Sequence, residues 1–333
     1  MRIADLTVGT GKVRFIGDPH LGRVFKTGVP LHRRGEREEM VWATFEKALT
    51  ENTQDIDAIV IMGDLFDKMH VPNAVVLRAS DLLWKSVGQP HFNEVVVLRG
   101  NHDASRDTSI RSSFDVLMAL HQNNPDVEFV TEVTPISYEK FEMIAFGWHP
   151  FITAKEMVER VPVDGSTYDA ALGHWDISGD GENLIPSEQL ANITEWAITG
   201  HDHTPGELTR HGLKITRTGS MQPYSHAEDH GDGLYLSLSP EKLEEMGPEK
   251  LKNVNVRVLL GPKDTAPEPL DCLSFVVKRV DEEEDEMDMS VSIDNFDMVA
   301  LFKTVLVEHE VDDALQKEIL ERYTNEVLEC SAT

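Results

Sequence analysis

The sequence predicts an α/β fold: a β-sandwich flanked by helices, with a small appended α+β domain and a C-terminal helical hairpin. Three observations lead there. Apolar runs of a few residues, rich in Ile and Val and too short for helices, recur along the first two thirds, and each stops at a glycine followed by Asp, Asn or His. Between the early runs lie stretches with apolar residues at helical spacing, the alternation that makes βαβ units. Past residue 240 the texture changes to a charged helix, two further strand-like runs, an acidic tract and two amphipathic stretches.

Taken in order, Val13-Arg14-Phe15-Ile16-Gly17 is the first strand and ends at Asp18-Pro19-His20. Met40, Val41, Phe45, Ala48 and Leu49 then fall at helical spacing across 36–49. Ala58-Ile59-Val60-Ile61-Met62 is a buried strand, and Gly63 lets the chain turn so that Asp64 stands at its carboxyl end. A helix over 73–87, entered at Pro72-Asn73 and stopped by Gly88, returns the chain to Val95-Val96-Val97-Leu98-Arg99-Gly100 and Asn101-His102-Asp103. A third helix over 109–122 carries Ile110, Phe114, Leu117, Met118 and Leu120. Later strands cover 143–148, 170–173 before His174, 196–199 before Gly200-His201-Asp202-His203, 213–217 and 234–238.

These elements make a domain of residues 1–240. Residues 241–280 form the appended domain, with strands over 254–260 and 273–280. An acidic linker over 281–292 contains Asp281-Glu282-Glu283-Glu284-Asp285-Glu286-Met287-Asp288, a like-charge run that resists folding. The hairpin, 293–330, comprises helices over 296–309 and 312–328, the second capped by Asp312-Asp313.

A chain of 333 residues is long enough for one large α/β domain and a smaller unit. Cys272 and Cys330 match no metal or redox spacing, which points to a reduced compartment. Neither a targeting segment nor a membrane-length apolar run is evident, so the expectation is a cytoplasmic protein without membrane contact. The formal charge of −28 argues against broad nonspecific attraction to nucleic acid. Residues 241–333 hold 24 acidic against 10 basic side chains, so the acidity is concentrated in the tail. Conversely, Arg23, Lys26, Arg33, Arg34 and Arg37 are opposed only by Glu36 in the loop after the first motif. They make a basic patch where a phosphate backbone would lie, or else a solvated loop of mixed charge.

Asp18, His20, Asp64, Asn101, His174, His201 and His203 supply seven oxygen and nitrogen donors. With one carboxylate bridging, they serve two metal ions with four protein ligands each and leave positions open for water and substrate. Asp, Asn and His without thiolate favour manganese or iron over zinc. Such a pair activates water for attack on phosphorus, and phosphate ester hydrolysis is the reaction that most needs it. His102 is not needed as a ligand and is the candidate proton donor to the leaving group. Asp67, three residues past Asp64, is placed to hold that imidazole in its charged form.

The blocks Asp18-Pro19-His20, Gly63-Asp64, Gly100-Asn101-His102-Asp103, Gly173-His174 and Gly200-His201-Asp202-His203 resemble those of calcineurin-like metallophosphoesterases. His20-Leu21-Gly22, Gly63-Asp64-Leu65-Phe66-Asp67, Gly219-Ser220-Met221-Gln222 and the acidic linker before a helical pair are similar to SbcD-type nucleases of the SbcCD and MRE complexes, particularly phage-encoded ones. The resemblance covers 13–240 and implies one metal held by Asp18, His20, Asp64 and His203, the other by Asp64, Asn101, His174 and His201. It also implies two Mn2+ (alternatively Mg2+ or Fe2+) and a double-strand exonuclease with single-strand endonuclease activity in DNA repair. The implied partners are double- and single-stranded DNA, a second copy in a homodimer and an ATPase of the SbcC/Rad type. Gly9-Thr10-Gly11-Lys12 lacks Walker A spacing, so ATP dependence would come from that other subunit.

Val299, Phe302, Leu306, Leu315, Ile319, Tyr323 and Val327 give the tail more apolar surface than two short helices hide by themselves. Docking on a helical surface of the ATPase, or back onto the chain's own catalytic domain, would cover it. Two rival functions remain at this point: a phosphomonoesterase or protein phosphatase on the same fold, and a non-catalytic scaffold. The Asp-Arg-Gly and Gly-Asn-His-Glu usual in protein phosphatases are absent, and every ligand position is intact.

Overall fold

In the computed structural model, which describes residues 3–280 except 88–93, 106, 108, 162–164, 166 and 230, two β-sheets pack face to face. The expected linker, 281–292, and hairpin, 293–330, lie outside the described residues.

The first sheet holds β1 (Ile3–Val8), β2 (Gly11–Ile16), β3 (Ala58–Ile61), β4 (Glu94–Leu98) and β5 (Val127–Val130) in that spatial order. Strands β2 to β5 are parallel, and β1 folds back antiparallel on β2. Crossovers pass through α1 (Glu36–Thr50), α2 (Asn73–Val87) and α3 (Ser113–Leu120). The second sheet takes in β6 (Val133–Tyr138), β7 (Phe141–Phe146), β8 (Ala170–Gly173), β9 (Trp196–Thr199), β10 (Gly206–Arg210) and β11 (Leu213–Arg217). Its centre is parallel and its two edge pairs are antiparallel.

The period of two in side-chain direction divides the apolar runs between two cores. Val13, Phe15, Ala58, Val60, Met62, Val96 and Leu98 face Met143, Ala145, Leu172 and Ile198 across the sandwich. Ile59, Ile61, Val95 and Val97 point the other way, onto Phe45, Leu49, Leu83 and Phe114 of the three helices. On the far side, Ile144, Ala171 and Ala197 pack under Met157 and Val158 of α4 (Ala154–Glu159) and Leu190 of α5 (Ser187–Leu190). Central strands buried on both faces read as unbroken apolar runs, which is why the sequence betrays them. The strands it hides are β1, β5, β6 and β10. All four are sheet edges, with Asp5 in β1, Pro135 in β6 and Glu207 in β10 exposed and Arg210 in β10 half-buried.

Two expected elements shift. The third helix begins at Ser113, because Ser112 and Asp115 close a capping box: Ser112 Oγ accepts the Asp115 N–H at 3.2 Å, and the Asp115 carboxylate accepts the Ser112 N–H at 2.8 Å. The strand over 234–238, expected in the sandwich, becomes β12 (Tyr235–Leu238) at the edge of a third sheet. There it runs parallel to β13 (Asn255–Leu260), which pairs with β14 (Ser274–Arg279), and α6 (Pro240–Met246) and α7 (Pro248–Leu251) make the crossover. This sheet therefore starts before the boundary expected at 240.

The loop after β2 clasps the third sheet and redistributes the basic patch. Gly28 O accepts the Phe275 N–H at 2.8 Å, and the Arg33 guanidinium donates to Lys252 O and pairs with Glu36 at 2.6 Å. Arg37 is buried, donates to Pro223 O at 2.8 Å and lies 4.8 Å from the Phe25 ring centroid. Arg33 and Arg37 thus serve packing and not a phosphate surface, whereas Lys26 and Arg34 are exposed and Arg23 is half-buried. The spacing of charges in a loop does not say which of them a neighbouring sheet will cover.

Candidate metal centre

The parallel strands β2, β3, β4, β8 and β9 all end on one rim of the sandwich, the usual place for a ligand in an open α/β sheet. Asp18, His20, Asp64 and His201 adopt positive φ of 31°, 46°, 46° and 72°. Non-glycine residues rarely enter that region, and four within one cluster mark backbone strain held by the surrounding structure. Close approach does the rest. A Cβ on Gly63, itself at φ 103°, would strike the His174 ring, and one on Gly100 would strike Asp64.

The seven expected donors come together in two groups. In the first, His20 Nε2 lies 3.0 Å from His203 Nε2 and 3.9 Å from Asp64 Oδ2, and His203 Nε2 lies 3.8 Å from Asp18 Oδ2. In the second, His174 Nε2 is 3.4 Å from Asp64 Oδ1 and 3.0 Å from Asn101 Oδ1. There His201 Nδ1 is 3.1 Å from Asn101 Oδ1 and 3.2 Å from His174 Nε2. The two oxygens of Asp64 face different groups. Ligand atoms about 2.1 Å from one cation sit about 3 Å apart in an octahedron, so these spacings suit a metal.

The residues fit divalent cations on a further ground. Among the described residues Asp18 Oδ2 is buried with no hydrogen-bond partner, an arrangement that costs several kcal/mol unless a positive charge meets it. Burial pushes the Asp18 carboxyl up to about 6 against the pull of His174. Burial also acts to raise Asp64, but His174, His20 and His102 overcome it and hold Asp64 below the usual carboxylate range. Burial would lower His174, yet Asp64 and Asp18 keep its pKa up at about 10, whereas burial takes His20 down to about 3. The two carboxylates thus draw positive charge into the cluster. Asp64 with His174 and His201, and Asp64 with His20 and His102, are each able to hold an ion.

His102 stands at the edge of this cluster, its side chain 42% exposed and its Nε2 3.9 Å from Asp64 Oδ2. Asp67 meets it differently from expectation. The His102 Nδ1–H donates to the Asp67 backbone carbonyl at 2.6 Å, while the Asp67 carboxylate lies 3.9 Å from His20 Nδ1 and 3.6 Å from Arg23. Asp67 therefore orients His102 through its main chain, because the tight turn after Asp64 points the side chain at the first motif.

Several neighbours of the donors were given no role by the sequence reading. Asp103 is fully buried and accepts N–H bonds from Leu65, Phe66 and Gly100 at 3.0–3.1 Å, so one carboxylate ties the second block to the third. Tyr224 donates to the Asp18–Pro19 main chain and presents its ring edge to His20. Asp176 Oδ1 lies 2.6 Å from His201 Nε2, and Glu228 Oε2 lies 3.3 Å from His203 Nδ1. Asp103 directly follows the Asn-His pair in sequence; the other three carry no local signal, since only the tertiary fold brings them in.

A rim of Asp, Asn and His donors at parallel strand ends defines a metal-dependent phosphoester hydrolase in class. The chain belongs to the calcineurin-like phosphoesterase family, whose sequence profile matches residues 11–205. Among solved structures, the phosphopantetheinyl hydrolase PptH of Mycobacterium tuberculosis is similar at 12% identity, covering 66% of this chain and 95% of that one with a TM-score of 0.41. None of the curated proteins matches the chain.

Replacing Asp103 with Asn keeps the size but sets an NH2 group against one of three N–H donors. Urea unfolding is expected to show a loss of about 2–3 kcal/mol, with weaker Mn2+ uptake by calorimetry. Wild-type stability and uptake would show that the carboxylate does not hold the two blocks.

Proposed function

We propose that the protein is a two-metal DNA nuclease of the SbcD/MRE type, cutting phosphodiester bonds with manganese, or alternatively magnesium or iron. Asp18, His20, Asp64 and His203 would hold one ion, and Asp64, Asn101, His174 and His201 the other. Such a pair supplies Lewis-acid activation of water and of the phosphoryl oxygens. His102 has Nδ1 committed to the Asp67 carbonyl, which leaves Nε2 to carry the proton handed to the leaving oxygen.

The observation that carries a polyanionic substrate, as opposed to a small phosphomonoester, is a groove of about 400 Å³ between the first motif's loop and the third sheet. Arg23, Lys26 and Arg257 line it beside Phe25, Tyr224 and Tyr235, and among the described lining residues there is no carboxylate. In a chain of net charge −28 that is an unusual concentration of cations, suited to phosphates with bases stacked on aromatic rings. Tyr224 links the groove to the donors, since it also touches Asp18, Pro19 and His20.

A homodimer is part of the same reading. Leu77 (54% exposed) and Trp84 (47%) lie two turns apart on α2, and Val116 and Leu120 (both 45%) one turn apart on α3. A second copy laying its own pair of helices there would cover all four. Residues 293–330 remain the proposed docking segment for an SbcC/Rad-type ATPase, on the strength of their apolar sequence pattern.

Linear duplex DNA and p-nitrophenyl phosphate, each with Mn2+, separate the readings. Cleavage of DNA is expected, lowered about 100-fold or more by His102→Ala with two ions still bound. Activity on the monoester alone sinks the nuclease. Sedimentation of the double variant Leu77→Asp, Trp84→Asp should show monomers where the wild type shows dimers; monomeric wild type would remove the dimer from the proposal.

A further inference from the structure

His201 and His203 are two residues apart, yet they present different ring nitrogens to the two donor groups: Nδ1 from His201 and Nε2 from His203. The nitrogen left over on each ring meets a carboxylate. His201 Nε2 lies 2.6 Å from Asp176 Oδ1, and His203 Nδ1 lies 3.3 Å from Glu228 Oε2. Both residues are held in place. Glu228 accepts the Tyr224 N–H and the Ser225 hydroxyl, each at 2.9 Å, while Asp176 is pinned through its main chain to Asn183 and Ile185. His174, by contrast, is fixed by a backbone carbonyl, Met62 O, at 2.9 Å.

We propose, resting on the two-cation reading, that Asp176 and Glu228 are positioning residues with separate charges: Asp176 aims His201 at the second ion and Glu228 aims His203 at the first. An imidazole that donates its outer N–H to a fixed carboxylate has its tautomer and ring angle set, and its inner nitrogen becomes a better donor. The two carboxylates come from loops on different sides of the cluster, one after β8 and one between β11 and β12. Each ion therefore has its own support, and one can be weakened without the other. The Asp202 carboxylate between the histidines takes no part; it pairs with Arg217 at 2.6 Å and keeps the loop in shape.

The test is Mn2+ titration calorimetry with electron paramagnetic resonance on the full-length chain and on Asp176→Ala, Glu228→Ala and the double variant. Wild type should take two ions and give a spin-coupled signal. Each single variant should keep one tight ion, bind the other about 10–100-fold more weakly and show the hyperfine pattern of isolated Mn2+. The double variant should hold neither tightly. Asp176→Asn keeps an oxygen to accept the His201 N–H and should restore part of the loss. Two ions at wild-type affinity in both alanine variants overturn the proposal, as does equal weakening of both ions by either change. A wild-type chain that binds no ion pair sinks the two-cation reading and this proposal with it, whereas two ions in the wild type and unchanged binding in the alanine variants sink this proposal alone.

Discussion

Two carboxylates, Asp18 and Asp64, sit almost wholly out of water at the floor of one cluster, and everything around them answers to that burial. Negative charge taken from solvent has to be met by positive charge or by hydrogen bonds. Here the neighbours are mainly histidines, with N–H bonds from His102 to Asp64 and from His201 to Asp18. The same demand explains the backbone. Left-handed conformations at Asp18, His20, Asp64 and His201 cost free energy locally, and they are held because the loops are tied to each other rather than left free in solvent.

Those ties have an order. The parallel strands set the loop bases about one strand spacing apart, Asp103 then joins the loops after β3 and β4, and Tyr224 props the loop after β2 from the other side. Glycines at 63 and 100 let side chain and backbone close to a distance no Cβ would allow. A site on strand ends is stiffer than one on a long loop, and stiffness is what a metal centre requires.

The third sheet also bears on the site. It is clasped by the loop that follows the first motif, and this contact consumes Arg33 and Arg37 while it frames a groove with Arg23, Lys26 and Arg257. Charge that looked continuous along the sequence is therefore divided between interior and surface. Arg257, far away in the chain, takes a place in the groove that no reading of the loop alone would give it.

The sequence by itself determined the central strands, α1, α2 and the strand-end positions of the seven Asp, Asn and His residues that gather on one rim, because runs buried on both faces and a glycine before each polar residue are local signals. It also placed His102 beside Asn101. It did not determine the edge strands, whose half-wet alternation is faint, or the pairing of β12, since β propensity does not name a partner. Which oxygen of Asp64 faces which donors, why Asp67 works through its carbonyl, and how Asp176 and Glu228 reach the two histidines were decided by tertiary structure alone. Those relations join residues far apart in the chain or depend on the direction a side chain takes after a strained turn, and neither quantity is written in the order of the amino acids.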